Sequence, residues 1–247
     1  MKTRAPRLLP FVVLCVLTPL IAHGQTVLPL SKITTGPGGE SSWAQRLTPA
    51  RSTLRTLLLG VTLTAWSSRY DEKARAEFSS AGWWETDLID AGDADGHGIC
   101  LVGLTAATWG IGAVVGDATA RGTGEKMALG LVVDAALVNS LKLISRRTRP
   151  DGSDMRSFPS GHTSGAFTLS TILSRRHGWR IGLPAFALAS LTALARMEDS
   201  KHYASDVIAG AFLGLVVSRL VTPSGGDIAH RLQLVSGPLL TGLQFSF

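Results

Sequence analysis

The sequence predicts an all-α fold, a helical bundle of about six core helices, closed by a short C-terminal β-hairpin. Three observations point there. From Arg51 onward the chain falls into apolar stretches rich in Ala, Leu and Gly: Leu54–Trp66, Ile99–Gly116, Met127–Ile144, Thr163–Leu173, Ile181–Ala195 and Val207–Leu220. Polar or Gly/Pro breaks separate them and strand signals are few, so stretches of this length read as helices packed on one another. Finally, 45% of the 247 residues are hydrophobic and 17% are charged, with mean hydropathy +0.23. That balance supplies a core and excludes a disordered chain.

The elements follow in order. Residues 1–24 read as a secretory signal peptide. Lys2, Arg4 and Arg7 precede the apolar run Leu8–Ile21, and Ala22-His23-Gly24 is a small-x-small cleavage site. The alternative is an uncleaved anchor. Its 14 apolar residues would span only ~21 Å of a ~30 Å bilayer core, and Pro10 and Pro19 interrupt them. Residues 25–50, with Thr34-Thr35-Gly36-Pro37-Gly38-Gly39, read as a flexible N-terminal arm. Residues 51–222 hold the bundle. Its longest uncharged run, Ile99–Gly116, has 18 residues, so a soluble bundle and a membrane-embedded one are both open. In residues 223–247, Leu232, Leu234, Leu243, Phe245 and Phe247 alternate with polar or small residues around Ser236-Gly237-Pro238, which predicts the hairpin.

Charge and cysteine content narrow the function. The formal charge is +6, and half of it belongs to Lys2, Arg4 and Arg7 of the leader. The remaining cations lack aromatic interleaving and an extended basic face, so no nucleic-acid partner is expected. Cys15 and Cys100 are the two cysteines, which excludes a disulfide scaffold and a cysteine-built metal site.

Three short segments carry the chemistry. The first runs from Lys142 to Arg149-Pro150; Pro150 disfavours helical geometry at Arg149, so the helix is expected to stop there and project its cations into a loop. Alone, such a helix end could simply complement the macrodipole. The second is Pro159-Ser160-Gly161-His162, just ahead of an apolar run, where a helix N-terminus offers free N–H groups to an anion. Gly161 allows close approach and His162 can exchange a proton, although plain capping would look the same. The third is Arg196-x5-His202-x3-Asp206. On a helix, His202 and Asp206 would share one face, and a carboxylate on one imidazole nitrogen raises the basicity of the other. A surface contact is the alternative.

Together, Lys142-x6-Arg149-Pro150, Pro159-Ser160-Gly161-His162 and Arg196-x5-His202-x3-Asp206 resemble the three-part signature of the type 2 phosphatidic acid phosphatase (PAP2) superfamily, which includes vanadium haloperoxidases. The resemblance covers the region from about Leu54 to Leu220 and leaves the arm and hairpin unexplained. It implies a phosphatase acting on phosphate monoesters or diphosphates. Lys142, Arg149, Arg196, Ser160 and Gly161 would bind phosphate. His202 would be the nucleophile, forming a phosphohistidine, Asp206 would orient it, and His162 would be the general acid and base. No metal or other cofactor is implied, and Asp151 and Asp154 read as polar loop residues. The expected substrate is a phosphorylated lipid or a small phosphate ester. With the leader, this places an exported enzyme in the periplasm or on the periplasmic face of the cytoplasmic membrane, with membrane association. The rivals are a vanadate-dependent haloperoxidase and a non-catalytic envelope protein retaining the fold.

Overall fold

The computed structural model describes residues 51–81, 98–222, 232–237 and 240–245. The leader, the arm and the ends of the tail lie outside them. The described helices are α1 (Arg51–Ser67), α2 (Asp71–Ala81), α3 (Gly98–Val115), α4 (Ala118–Ser145), α5 (Gly161–His177), α6 (Trp179–Glu198) and α7 (Ala204–Val221). A 3₁₀ turn, Ser68–Tyr70, joins α1 to α2. Six of these helices contain the six apolar stretches. The seventh, α2, is a short polar helix that buries Ala74 and Phe78, one turn apart. In the tail, β1 (Leu232–Gly237) pairs antiparallel with β2 (Leu240–Phe245), Leu232 opposite Phe245.

Local chemistry sets the turns. Asp117 caps α4 by accepting from the N–H groups of Thr119 (2.8 Å) and Ala120 (3.1 Å). Gly178 turns α5 into α6 at φ +82°, a conformation that costs glycine nothing. At the other end of α4 the structure corrects the expected boundary. The helix stops at Ser145, not Arg149, because Arg146 turns left-handed (φ 45°) and returns its N–H to the Lys142 carbonyl. Pro150 therefore stiffens a loop that has already left the helix.

The bundle is organised around α5, which is buried from Thr163 through Ile172. Phe167 packs on Phe186 of α6, with Val207, Ile208 and Leu215 of α7 completing that core. The buried hydroxyls of α5 are all used. Ser164 and Thr168 donate to Asp134 of α4, while Ser170 and Thr171 donate to backbone carbonyls. Where α5 meets Gly210 and Gly214 of α7 there is no room for a side chain. A Cβ on Gly210 would lie 2.5 Å from the Ser160 carbonyl oxygen, and one on Gly214 would strike that of Ser164. This small-xxx-small contact brings the two backbones together as in packed membrane helices.

The outer surface is apolar. Helices α3, α4, α6 and α7 are each long and apolar enough to cross a membrane. The 18 residues of α3 rise ~27 Å, close to the hydrocarbon thickness. Their side chains face outward: Ile99 is 86% exposed and Val114 87%, joined by Leu57, Leu58 and Val61 on α1 and Leu143 and Ile144 on α4. An apolar face of this extent marks an interaction surface, and beside four helices of spanning length it points to the membrane. Trp66 and Tyr70, in ring contact at 5.0 Å, stand at one end of the bundle and exposed Trp179 at the other, as interfacial aromatics do. Of the two alternatives left by the sequence, these helices favour the embedded one. The chain is a membrane protein.

Candidate active site

The three motif segments meet at one end of the bundle. There α4 ends, α5 begins, α6 ends and α7 begins, joined by loops 146–160 and 199–203. Hydrogen bonds knit them together. Ser157 donates its hydroxyl to Asp206 (2.5 Å), the Ser160 N–H donates to the Asp206 carbonyl (3.0 Å), and the Asp151 N–H donates to the Ser200 carbonyl (3.0 Å). Lys201 and Asp151 pair across the same gap at 2.7 Å. Arg196 accepts the N–H groups of both Lys201 and His202 on its carbonyl, each at 3.1 Å, which closes the 199–203 loop back on α6.

The predicted residues take the following places. Lys142 is buried in the last turn of α4 and donates its Nζ to the Arg156 carbonyl. Arg149 donates its Nε to Asp154 (2.7 Å), and Arg196 donates an Nη to Asp199. Asp154 and Asp151, both in the loop, thus each hold an ion pair. Ser160 is fully buried at the head of α5, its hydroxyl 3.0 Å from that of Thr163. Gly161 follows as the first helical residue, where a Cβ would crowd Val138 at 3.3 Å. His162, partly exposed, occupies the first turn of α5.

His202 and Asp206 depart from the shared helical face. His202 lies in the loop before α7, and Asp206 is in that helix's first turn. The His202 Nδ1 is 3.9 Å from Asp206 Oδ2, beyond hydrogen-bond reach, and is buried without a hydrogen-bond partner. The carboxylate is taken up elsewhere. Its Oδ1 accepts from Arg147 (2.7 Å), and its Oδ2 accepts from Ser157 and from the Tyr203 N–H (2.9 Å). Burial holds the His202 pKa below the ordinary imidazole value. Lys142 and Arg149 act in the same direction and Asp206 opposes them. Burial thus favours the neutral form of the His202 ring, and the charges of Lys142 and Arg149 add to that preference.

Sequence reasoning missed Asp71, Arg147, Ser157 and Ser205. Arg147 bridges two buried carboxylates, Asp206 and Asp71 (2.6 Å), touches the Ser205 hydroxyl (2.7 Å) and lies over the Tyr203 ring (4.2 Å). Burial works against its charge, but the carboxylates outweigh burial and raise its pKa. Asp71, at the start of α2, accepts from the Ser205 N–H (2.9 Å) and hydroxyl (2.6 Å), so it also caps α7 from a distant part of the chain. Among the described residues no group of three His, Cys, Asp or Glu side chains is placed to hold a metal ion.

Residues 125–227, which contain all three segments, match the family model of the PAP2 superfamily. Over these residues, less than half of the chain, the sequence is similar to the PAP2 superfamily. Two curated relatives are similar to it. The lipid A 1-phosphatase of Porphyromonas gingivalis is 38% identical over 96 residues, covering 38% of this chain and 22% of that protein. The lipid A 4'-phosphatase of Helicobacter pylori is 31% identical over 113 residues, covering 41% of this chain and 57% of that protein. This chain therefore spans well under two thirds of either. Among solved structures, Aquifex aeolicus LpxE superposes with TM-score 0.52 at 25% identity, covering 61% of this chain and 93% of that one. A transmembrane PAP2-type phosphatidylglycerolphosphate phosphatase from Bacillus subtilis superposes with TM-score 0.58 at 24% identity, covering 68% and 93% respectively. The second likeness shows the fold alone.

Proposed function

We propose that this chain is a phosphatase of lipid phosphates, working through a phosphohistidine and without a metal ion. The observation that carries the reading is the meeting of the segments bearing Lys142, Arg149, Arg196 and the buried His202 at one end of an apolar bundle. In this reading the three cations, the Ser160 hydroxyl and the Gly161 N–H receive the non-bridging phosphate oxygens. The Nε2 of His202 bonds to phosphorus as the bond to the leaving oxygen breaks, and His162 gives that oxygen its proton. His162 then takes a proton from water, whose oxygen displaces His202 and releases phosphate. Asp206 orients the nucleophile once the His202 ring closes the last ångström or so. Electrostatic stabilisation of this kind is usually the largest catalytic contribution.

Several finer assignments belong to the same proposal. The site faces the periplasm, a placement that rests on the leader motif at residues 1–24. The domain limits 51–222 and 223–247 rest on the helical region and on the pairing of β1 with β2, which we retain as a C-terminal hairpin. The lipid class rests on the apolar outer surface and on the names of the relatives. Lipid A phosphates are the first substrates to assay, followed by phosphatidate and phosphatidylglycerol phosphate.

The test is phosphate release from these lipids in detergent micelles by the purified full chain. Turnover should persist in EDTA and be blocked by orthovanadate, which mimics five-coordinate phosphorus. Activity lost to EDTA and restored by Mg²⁺ would show that the metal-free mechanism is wrong.

The burial of His202 has a pH consequence. The neutral ring is the attacking form, and its folded pKa lies below the ordinary value. Activity should therefore hold as pH falls through about 6.5 and decline only at more acid values. The check is a kcat/KM profile with the substrate's own phosphate ionisation measured separately by ³¹P NMR. An enzyme-derived loss of activity toward acid that already begins above pH ~6.5 would contradict the assignment.

A further inference from the structure

Both arginines of the proposed cradle hold a carboxylate in this structure, and they hold it differently. Arg149 gives Asp154 its Nε, at the root of the guanidinium, so this bond uses neither of the Nη groups at the tip. The same Asp154 oxygen accepts the Arg156 N–H (2.8 Å), and the Arg149 N–H bonds to the Asp154 carbonyl (3.0 Å). Asp154 is thus built into the loop that carries Arg149. Arg196 instead gives Asp199 a terminal Nη. The Arg196 side chain is only 9% exposed, whereas that of Asp199 is 44% exposed. The carboxylate therefore sits on the solvent side of a sunken guanidinium, the side from which a phosphate must come. Asp199 follows the last residue of α6 and precedes the left-handed Ser200, so its side chain can swing away without moving a helix.

We propose that the two carboxylates have opposite roles: Asp154 is a positioning residue that aligns Arg149 and stays in place when phosphate binds, whereas Asp199 is a built-in competitor that a phosphate displaces from Arg196. This rests on the reading of Arg196 as a phosphate ligand. The exchange selects by charge. A phosphate monoester dianion brings more charge to Arg196 than the carboxylate it removes, while a phosphodiester brings one negative charge and gains little. A bilayer is crowded with phosphodiester headgroups. Asp199 keeps them off the cradle while leaving it open to a terminal phosphate.

The experiment uses the purified full chain in mixed micelles, with p-nitrophenyl phosphate as substrate and either inorganic phosphate or phosphatidylglycerol as inhibitor. Asp199→Asn and Asp199→Ser should both bind inorganic phosphate more tightly, by roughly two- to fivefold, the scale of one partly exposed ion pair. Both should also become sensitive to phosphatidylglycerol. Asp154→Asn should do the reverse, weakening phosphate and raising KM more than it lowers kcat. Unchanged or weaker phosphate inhibition in both Asp199 variants overturns the competitor role. Loss of folding in both, read by thermal unfolding, also overturns it, since Asp199 would then be structural. An Asp154→Asn enzyme with wild-type KM overturns the positioning role. Arg196→Lys separates these failures from failure of the underlying reading. It should lose roughly 10²–10³ in rate, because Lys lacks the planar fork. Wild-type turnover and phosphate inhibition in that variant would remove Arg196 from the cradle altogether.

Discussion

Replacing His202 by alanine is expected to abolish turnover of every phosphate ester, alkyl or aryl, because no phosphoenzyme can form without the nucleophile. The His162→Ala variant should behave differently. General acid assistance is worth ~10²–10⁴ in rate and matters most for a poor leaving group such as an alkyl alcohol. Nitrophenolate leaves without much protonation. The His162 variant should therefore phosphorylate itself from p-nitrophenyl phosphate and then stall, since the same residue activates water. The readout is a burst of nitrophenolate with an acid-labile, base-stable phosphoprotein, absent from the His162/His202 double variant. A burst that survives in the double variant would assign the nucleophile to another residue. Equal first-turnover losses on alkyl and aryl substrates would remove His162 from the leaving-group step.

The second large effect is expected at Arg147, a residue outside the PAP2 signature. Its guanidinium compensates Asp71 and Asp206, whose side chains are 4% and 0% exposed. Arg147→Met would leave two buried carboxylates facing each other without their shared cation. Removing one partner of a buried ion pair costs about 3–5 kcal/mol, and the lower end applies because the Arg147 side chain is 30% exposed. Arg147→Lys should recover little, since a point charge cannot bridge two carboxylates as a planar fork does. Adding Asp71→Asn to Arg147→Met should restore part of the stability by removing one stranded charge. Unfolding in determined detergent conditions measures all three, and a wild-type midpoint for Arg147→Met would show that the bridge contributes nothing.

The six long helices were legible because each carries a long apolar stretch, and the motif residues were legible because their spacing repeats a known signature. The rest was hidden for specific reasons. Helix α2 is mostly charged or polar and buries Ala74 and Phe78, too short an apolar pattern to stand out. Arg146 and Arg147 are adjacent and chemically identical, yet one takes a left-handed turn and the other anchors the site. Only the position of Asp71, brought in from α2, distinguishes them, and a sequence cannot display a contact across 76 residues. The early end of α4 carried no glycine to announce it. The pairings of Asp154 and Asp199 depend on which atom of each arginine they meet, which spacing does not encode.

The glycine contacts between α5 and α7 have a consequence for how this catalyst can change. His162 rides on α5, while Asp206 and the loop end bearing His202 ride on α7. Where Gly210 and Gly214 meet the carbonyls of Ser160 and Ser164, the gap between those helices equals the thickness of two bare backbones. That gap cannot be narrowed, and any larger residue at Gly210 wedges the acid away from the nucleophile. The contact thus acts as a fixed gauge of the α5–α7 spacing, set mainly by backbone atoms that cannot give way. Variation toward other substrates has to come from parts that do not bear on the gauge: loop 149–156, loop 199–203 and helix α2. A library confined to those three regions should yield altered specificities, whereas one confined to the α5–α7 seam should yield only loss.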